Sequence, residues 1–252
     1  MSPGIRAAWA LVALVVGVQI GYPVTAGAAR TAVTVGTVLA GAAATTVHAA
    51  VTRGPLWTLR LLLVVAGGSF AVEAVGVATG WPFGGYAYTD GLGPRLLGVP
   101  LLVPLAWTML AYPAWLAAGA LVPRAFRVPV AAWALASWDL FLDPQMVDAG
   151  RWVWADPTPA LPGVPGVPAG NYAGWLAVSL VLMALLCWVD TTPAVSWPAD
   201  APPLVLYLWT YAGSVLAHAV FLDLPGSAVT GGLAMGLVAV PLAVFVLRRA
   251  LA

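Results

Sequence analysis

The 252-residue chain contains no lysine, one cysteine, two histidines and nine acidic residues. Only 8% of it is charged, where a soluble domain carries about 25%. That is too little charge to coat a globular surface, so part of the surface must face lipid. A lone Cys187 excludes an internal disulfide. Ten arginines against nine acids leave the net charge near zero and no basic patch is present, so no nucleic-acid partner is implied. No phosphate-binding loop and no glycine-rich dinucleotide fingerprint is present. What the chain does have is apolar bulk, at 62% of residues, with 13 Trp, 27 Gly and 22 Pro. Tryptophan favours membrane interfaces, and glycine and proline are tolerated in spanning helices.

A helix needs about 20 apolar residues to cross the bilayer core. Eight stretches qualify: Ala7–Tyr22, Thr31–Val51, Leu59–Thr79, Leu96–Val122, Val128–Leu142, Tyr172–Val189, Pro203–Leu222 and Ala228–Leu247. Turn chemistry separates them, as in RGP at 53–55, GLGP at 91–94 and DLPG at 223–226. The pattern predicts an all-α, polytopic membrane helix bundle, one domain over residues 1–252, with no soluble part. Arg6, the apolar run after it and TAGAA at 25–29 also fit a cleavable signal, which would leave seven spans. Pro100, Pro104 and Pro113 predict a kinked or partly broken fourth span. The long connection Asp143–Asn171, rich in Pro, Gly and Trp, predicts a re-entrant or interfacial lid. Trp9, Trp57 and Trp197 read as interface anchors. Arginine counts set the orientation: Arg6, Arg53, Arg60, Arg124, Arg127, Arg248 and Arg249 fall on one side, and Arg30, Arg95 and Arg151 on the other. The positive-inside bias then predicts a multi-pass protein of the cell membrane with both termini cytoplasmic.

On this map seven acids gather at one end of the bundle: Glu73, Asp90, Asp139, Asp143, Asp148, Asp156 and Asp223. Asp190 and Asp200 lie at the other. An ionisable side chain inside a span is costly and marks a candidate functional site. Asp139 and Asp143, four apart, share a helix face. Glu73 lies inside an apolar span, and His218 precedes Asp223 by about a turn. Around them fall aromatics that include Tyr86, Tyr88, Trp138, Trp152, Trp154 and Trp175, and Asn171 opens the sixth span on the same side. Structural roles compete for several of these. Asp143 before Pro144 suits a helix start. Glu73 can pair with Arg95 or Arg151, His218 can be a satisfied core residue, and Asp223 can end its helix. Asp148 and Asp156 read as solvated loop. Asp139 has the least local explanation.

A carboxyl taken out of water resists ionisation, and a second one beside it adds to that resistance. Such a pair is a proton donor near neutral pH, and aromatic faces stabilise a developing cation. The combination suits protonation of an alkene to a tertiary carbocation, then trapped by water, closed into a ring or quenched by proton loss. No cofactor is called for, and His48, His218 and Cys187 are too few and too scattered for a zinc site. DLFLD at 139–143 has the spacing of a diphosphate–magnesium motif but no second acidic cluster. A transporter with intramembrane acids is the competing class, favoured by the prolines of span four and opposed by acids confined to one end. A scaffold for other enzymes is a third reading.

Three blocks carry a resemblance: GWPFGGYAYTDGLGPRLLGVPLLVPLAWTMLAYPAW (80–115), WDLFLDPQMVDAGRWVW (138–154) and GVPAGNYAGWL (166–176). In order and spacing they resemble the membrane-integral carotenoid biosynthesis family, which includes bisanhydrobacterioruberin hydratases and carotenoid 1,2-hydratases. The resemblance implies addition of water across the terminal C1=C2 bond of a ψ end group, giving a tertiary alcohol. It implies an acyclic or monocyclic carotenoid as substrate, the lipid bilayer as medium and other carotenoid-pathway enzymes as partners. By position it carries over to Glu73, Tyr86, Tyr88, Asp139, Asp143, Asn171 and Asp223. We expect Asp139, Asp143 and Glu73 to be catalytic, and Trp138, Tyr86, Tyr88, Asn171, Trp175, His218 and Asp223 to contact substrate. Small lycopene cyclases are similar in size and chemistry, but their Pro-x-Glu-Glu block corresponds here to GVPLLVPLAW (98–107), which lacks a carboxylate. That departure favours hydration over cyclisation or isomerisation.

Overall fold

A computed structural model describes residues 1–190 and 195–251. All eight apolar stretches form helices long enough to cross a membrane, so the chain is a multi-pass membrane bundle. The spans are α1 (Pro3–Ile20), α2 (Gly27–Arg53), α3 (Pro55–Leu62) with α4 (Gly68–Thr79), α5 (Leu102–Leu121), α6 (Arg124–Ala136) with α7 (Asp139–Asp148), α8 (Ala169–Val189), α9 (Ala201–Leu216) and α10 (Pro225–Leu251). A π-helical turn, Leu63–Gly67, joins α3 to α4, and another, Ala217–Phe221, extends α9. Several helices start earlier than the apolar pattern, because polar caps and prolines belong to the first turn. Ser2 caps α1 by accepting from Ile5 N–H, with Pro3 at the first position, and Pro55 and Pro225 open α3 and α10.

Helix α5 is the central post, packed against α2, α6, α9 and α10. Its buried Ala111, Ala114, Ala117 and Ala118, with Ala131, Ala132 and Ala134 of α6, let backbones approach closely. Span four, expected to be kinked or partly broken, runs as one helix, α5, through Pro113. Pro113 cannot donate to the Met109 carbonyl four residues back, and the Thr45 hydroxyl of α2 donates to it instead at 3.1 Å. Pro104 sits in the first turn, where no intrahelical donor is needed, and Pro100 lies in a short strand before the helix.

Span five is the one that breaks. Between α6 and α7 the hydrogen bonding tightens, with Trp138 N–H bonding the Leu135 carbonyl three residues back. Helix α7 then continues past the expected end at Leu142 to Asp148, so Asp143 and Pro144 lie inside a helix instead of starting one. The same device explains it. Pro144 frees the Leu140 carbonyl, and the Ser227 hydroxyl of α10 bonds that carbonyl at 2.5 Å. Two facing hydroxyls thus keep two proline-bearing helices intact.

The connection after α7 is an ordered cap. Strand β4 (Trp152–Trp154) pairs antiparallel with β1 (Tyr86–Tyr88), matching Tyr86 with Trp154 and Tyr88 with Trp152. Strands β2 (Arg95–Leu96) with β3 (Val99–Pro100), and β5 (Ala160–Leu161) with β6 (Val164–Pro168), form two more small pairs. In β1 and β4 the alternation of period two turns Ala87 and Val153 outward and the four aromatics inward.

The other end of the bundle is knit by ion pairs. Arg53 bonds both oxygens of Asp200 at 2.8 Å, and Arg127 reaches Asp190 at 3.1 Å. Trp57 and Trp115 each donate to Asp190 at 3.0 Å. Trp57 is therefore a buried structural donor, a correction to its reading as an interface anchor. Replacing Thr45 by Val should cost about 1 kcal/mol in detergent unfolding. In a Pro113→Ala background, where residue 113 regains its own N–H, the same change should cost much less.

Candidate active site

Glu73 of α4 is 4% exposed and faces the cap. Its Oε2 accepts from the hydroxyls of Tyr86 and of Tyr88, the latter at 2.7 Å, and its Oε1 accepts from Trp107 Nε1 at 3.2 Å. Gly76, one turn on, makes room: a Cβ there would stand 2.8 Å from the Tyr86 hydroxyl. Burial, and then the charge of Glu73, push both phenols far above the usual tyrosine range, so they stay protonated donors. Arg95 instead pairs with Asp90 and Arg151 with Thr31, so neither takes the partnership with Glu73 considered above.

Asp139 and Asp143 lie across from Glu73, and the break at Trp138 brings them there. The Asn171 amide at the start of α8 donates to Asp139 Oδ2 at 2.8 Å and to Asp143 Oδ2 at 2.5 Å. One nitrogen bonded to both holds the two carboxyls against each other. Trp152 Nε1 donates to Asp143 Oδ1 at 3.1 Å. Asp139 Oδ1 and the Tyr172 hydroxyl are buried without a hydrogen-bond partner. Among the described residues, no arginine or histidine forms an ion pair with Glu73, Asp139 or Asp143. Two carboxyls so placed cannot both ionise cheaply, and a proton held by the pair removes the repulsion.

These groups surround a cavity of about 70 Å3 whose wall includes Glu73, Tyr86, Tyr88, Asp143, Asn171, Trp138 and Trp175. Asp139 stands behind Asp143, outside that wall. Trp107 and Trp175 stack at 3.8 Å with planes 7° apart, and Trp138 meets Trp175 edge-on at 6.4 Å. Gly174 lets the Pro82–Phe83 segment lie against α8, since a Cβ there would stand 2.6 Å from the Pro82 carbonyl.

His218 and Asp223 do not join the cavity. His218 is buried on Phe141, with Nδ1 2.9 Å from the Ser227 hydroxyl and Nε2 3.3 Å from Gln145 Oε1 of α7. It supports the helix that carries the aspartates. Asp223 is exposed at a left-handed position, φ 53°, between α9 and α10. Asp156 caps Thr158 as ordinary loop. Trp107 was not legible as a site residue. It sits in an apolar proline-bearing helix and resembles any interfacial tryptophan until its partners on α4 and α8 are placed.

The family described as "Carotenoid biosynthesis protein" matches residues 33–246. The bisanhydrobacterioruberin hydratase of Haloarcula japonica is 38% identical over 123 residues, an alignment spanning 46% of this chain and 40% of that protein. No solved structure matches the chain.

The wiring of the carboxyls is testable without any ligand. Asn171→Leu removes the donor shared by both aspartates and should cost about 1.5–3 kcal/mol in detergent unfolding. Adding Asp139→Leu should cost less than the two single changes combined, because the charge left stranded by the first change is removed by the second.

Proposed function

The chain belongs to the carotenoid biosynthesis protein family, and on that premise we propose that it is a carotenoid hydratase, adding water across the terminal C1=C2 bond of a ψ end group. The observation that carries this reading is the pairing of two unlike carboxyl settings across one small aromatic cavity. Asp143, backed by Asp139 and without a cation, is placed to give up a proton. Glu73, which receives three hydrogen bonds, is built to accept one.

In this scheme Asp143 delivers its proton to C2, leaving the positive charge on tertiary C1. The faces of Trp138, Trp175 and Tyr86 meet that charge, and cation–π attraction is strongest where water is excluded. A water on the Glu73 side bonds to C1 through its oxygen and passes a proton to Glu73. Return of that proton to the aspartates restores both carboxyls, with one water consumed and none of the protein's groups altered. The Asn171 amide, which donates to both aspartates, stabilises whichever of them has lost its proton. Little of such a site needs to be polar, because the substrate is a hydrocarbon and the product gains one hydroxyl. With the arginine-rich end on the cytoplasmic side of the cell membrane, the cavity opens toward the outer leaflet.

In cells that make lycopene, the protein should yield a pigment heavier by one water. Asp143→Asn should lower that yield by about 100-fold or more while the protein remains in the membrane, with a smaller loss for Asp139→Asn. A new pigment of unchanged mass would mean cyclisation or isomerisation, and full activity in Asp143→Asn would remove Asp143 as the acid.

A further inference from the structure

The cavity at the carboxyls, about 70 Å3, is far below the 300–1,000 Å3 typical of small-ligand sites. It takes a branched end group and leaves the rest of a long substrate unhoused. A second cavity of about 320 Å3 lies against it. Thr34, Val38, Ala106, Trp138, Leu142 and Met146 line both, so one layer of side chains separates the two spaces. The second cavity runs between the α1–α2 connection and the last turns of α9, where the π-helical turn 217–221 begins. Its rim carries Ile20, Val24, Leu216 and Phe221, all more than half exposed on the apolar side of the bundle.

We propose that this groove holds the hydrocarbon body of a linear polyene taken sideways from the bilayer, with its end group threaded past Val38, Ala106 and Leu142 to the carboxyls. The identity of the reacting end rests on the hydratase reading above; the groove's occupant is argued from its own walls. They are mainly apolar, and much of their polar complement is already spent. Trp209 Nε1 donates to Gln19 at 2.6 Å, Thr210 to the Leu206 carbonyl at 2.9 Å and Thr34 to the Arg30 carbonyl at 2.9 Å. Such walls suit a hydrocarbon better than a polar ligand. Lateral access also fits the solvent, since a long polyene partitions into lipid and reaches this rim without crossing water.

The test measures total carotenoid, lycopene plus any hydrated product, that copurifies in mild detergent from lycopene-making cells. Ser214→Trp plugs the groove from α9, Ser214→Leu narrows it with less risk to folding, and Ala212→Trp adds the same bulk on an exposed neighbour outside the groove. The wild type and Ala212→Trp should retain pigment alike. Ser214→Trp should retain roughly tenfold less, with Ser214→Leu between, while both stay monodisperse. A wild type without pigment, or groove variants that hold as much as wild type, would overturn the proposal. Pigment held by the wild type but of unchanged mass would leave the groove standing and remove the hydratase reading instead.

Discussion

Three carboxyls buried in a membrane bundle with no ion-pair partner among the described residues are the constraint around which the rest of the chain is arranged. Burying an unpaired charge in such surroundings is far more costly than burying a neutral polar group. The protein meets that cost in two different ways. Glu73 is surrounded by neutral donors from a strand and a neighbouring helix. Asp139 and Asp143 are held together under one amide that donates to both. Two unlike carboxyl settings thereby face one aromatic-walled space, and that difference is the basis of the proposed chemistry.

The opposite end of the bundle solves the same electrostatic problem conventionally. Asp190 and Asp200 are matched with Arg127 and Arg53, and two tryptophans also donate to Asp190. At that end both carboxylates are neutralised by arginine. The contrast separates structural carboxylates from the candidate chemical ones using partners alone. Between the two ends, α5 and α7 tolerate proline because a hydroxyl on a neighbouring helix takes each freed carbonyl. These bonds are small individually, but the one from Ser227 fixes the turn that aims both aspartates.

Much of this was legible in the chain itself. The eight spans follow from apolar length, and the clustering of Glu73, Asp139 and Asp143 follows from their alternation across the membrane. Asn171 and the aromatics of 86–88 and 152–154 were placed at the right end for the same reason, and the YAY and WVW alternation encodes their inward turn. What could not be read depends on contacts between distant segments. Nothing near Pro113 says that Thr45 will rescue its helix, and nothing near Pro144 names Ser227. For that reason span four was expected to be kinked or partly broken and span five to stop at Leu142. Helix-end position put His218 and Asp223 near the acids in projection, but lateral position around the bundle takes them out of the cavity. Trp107 was missed because its significance lies wholly in Glu73 and Trp175.

The most direct measurement is the conversion of lycopene by the membrane-embedded protein in heavy water. Proton delivery from an exchangeable carboxyl, followed by capture of the C1 cation, predicts a C1 alcohol with one non-exchangeable deuterium at C2. A hydrated pigment with no deuterium at C2, or labelled pigment with no added oxygen, would contradict it.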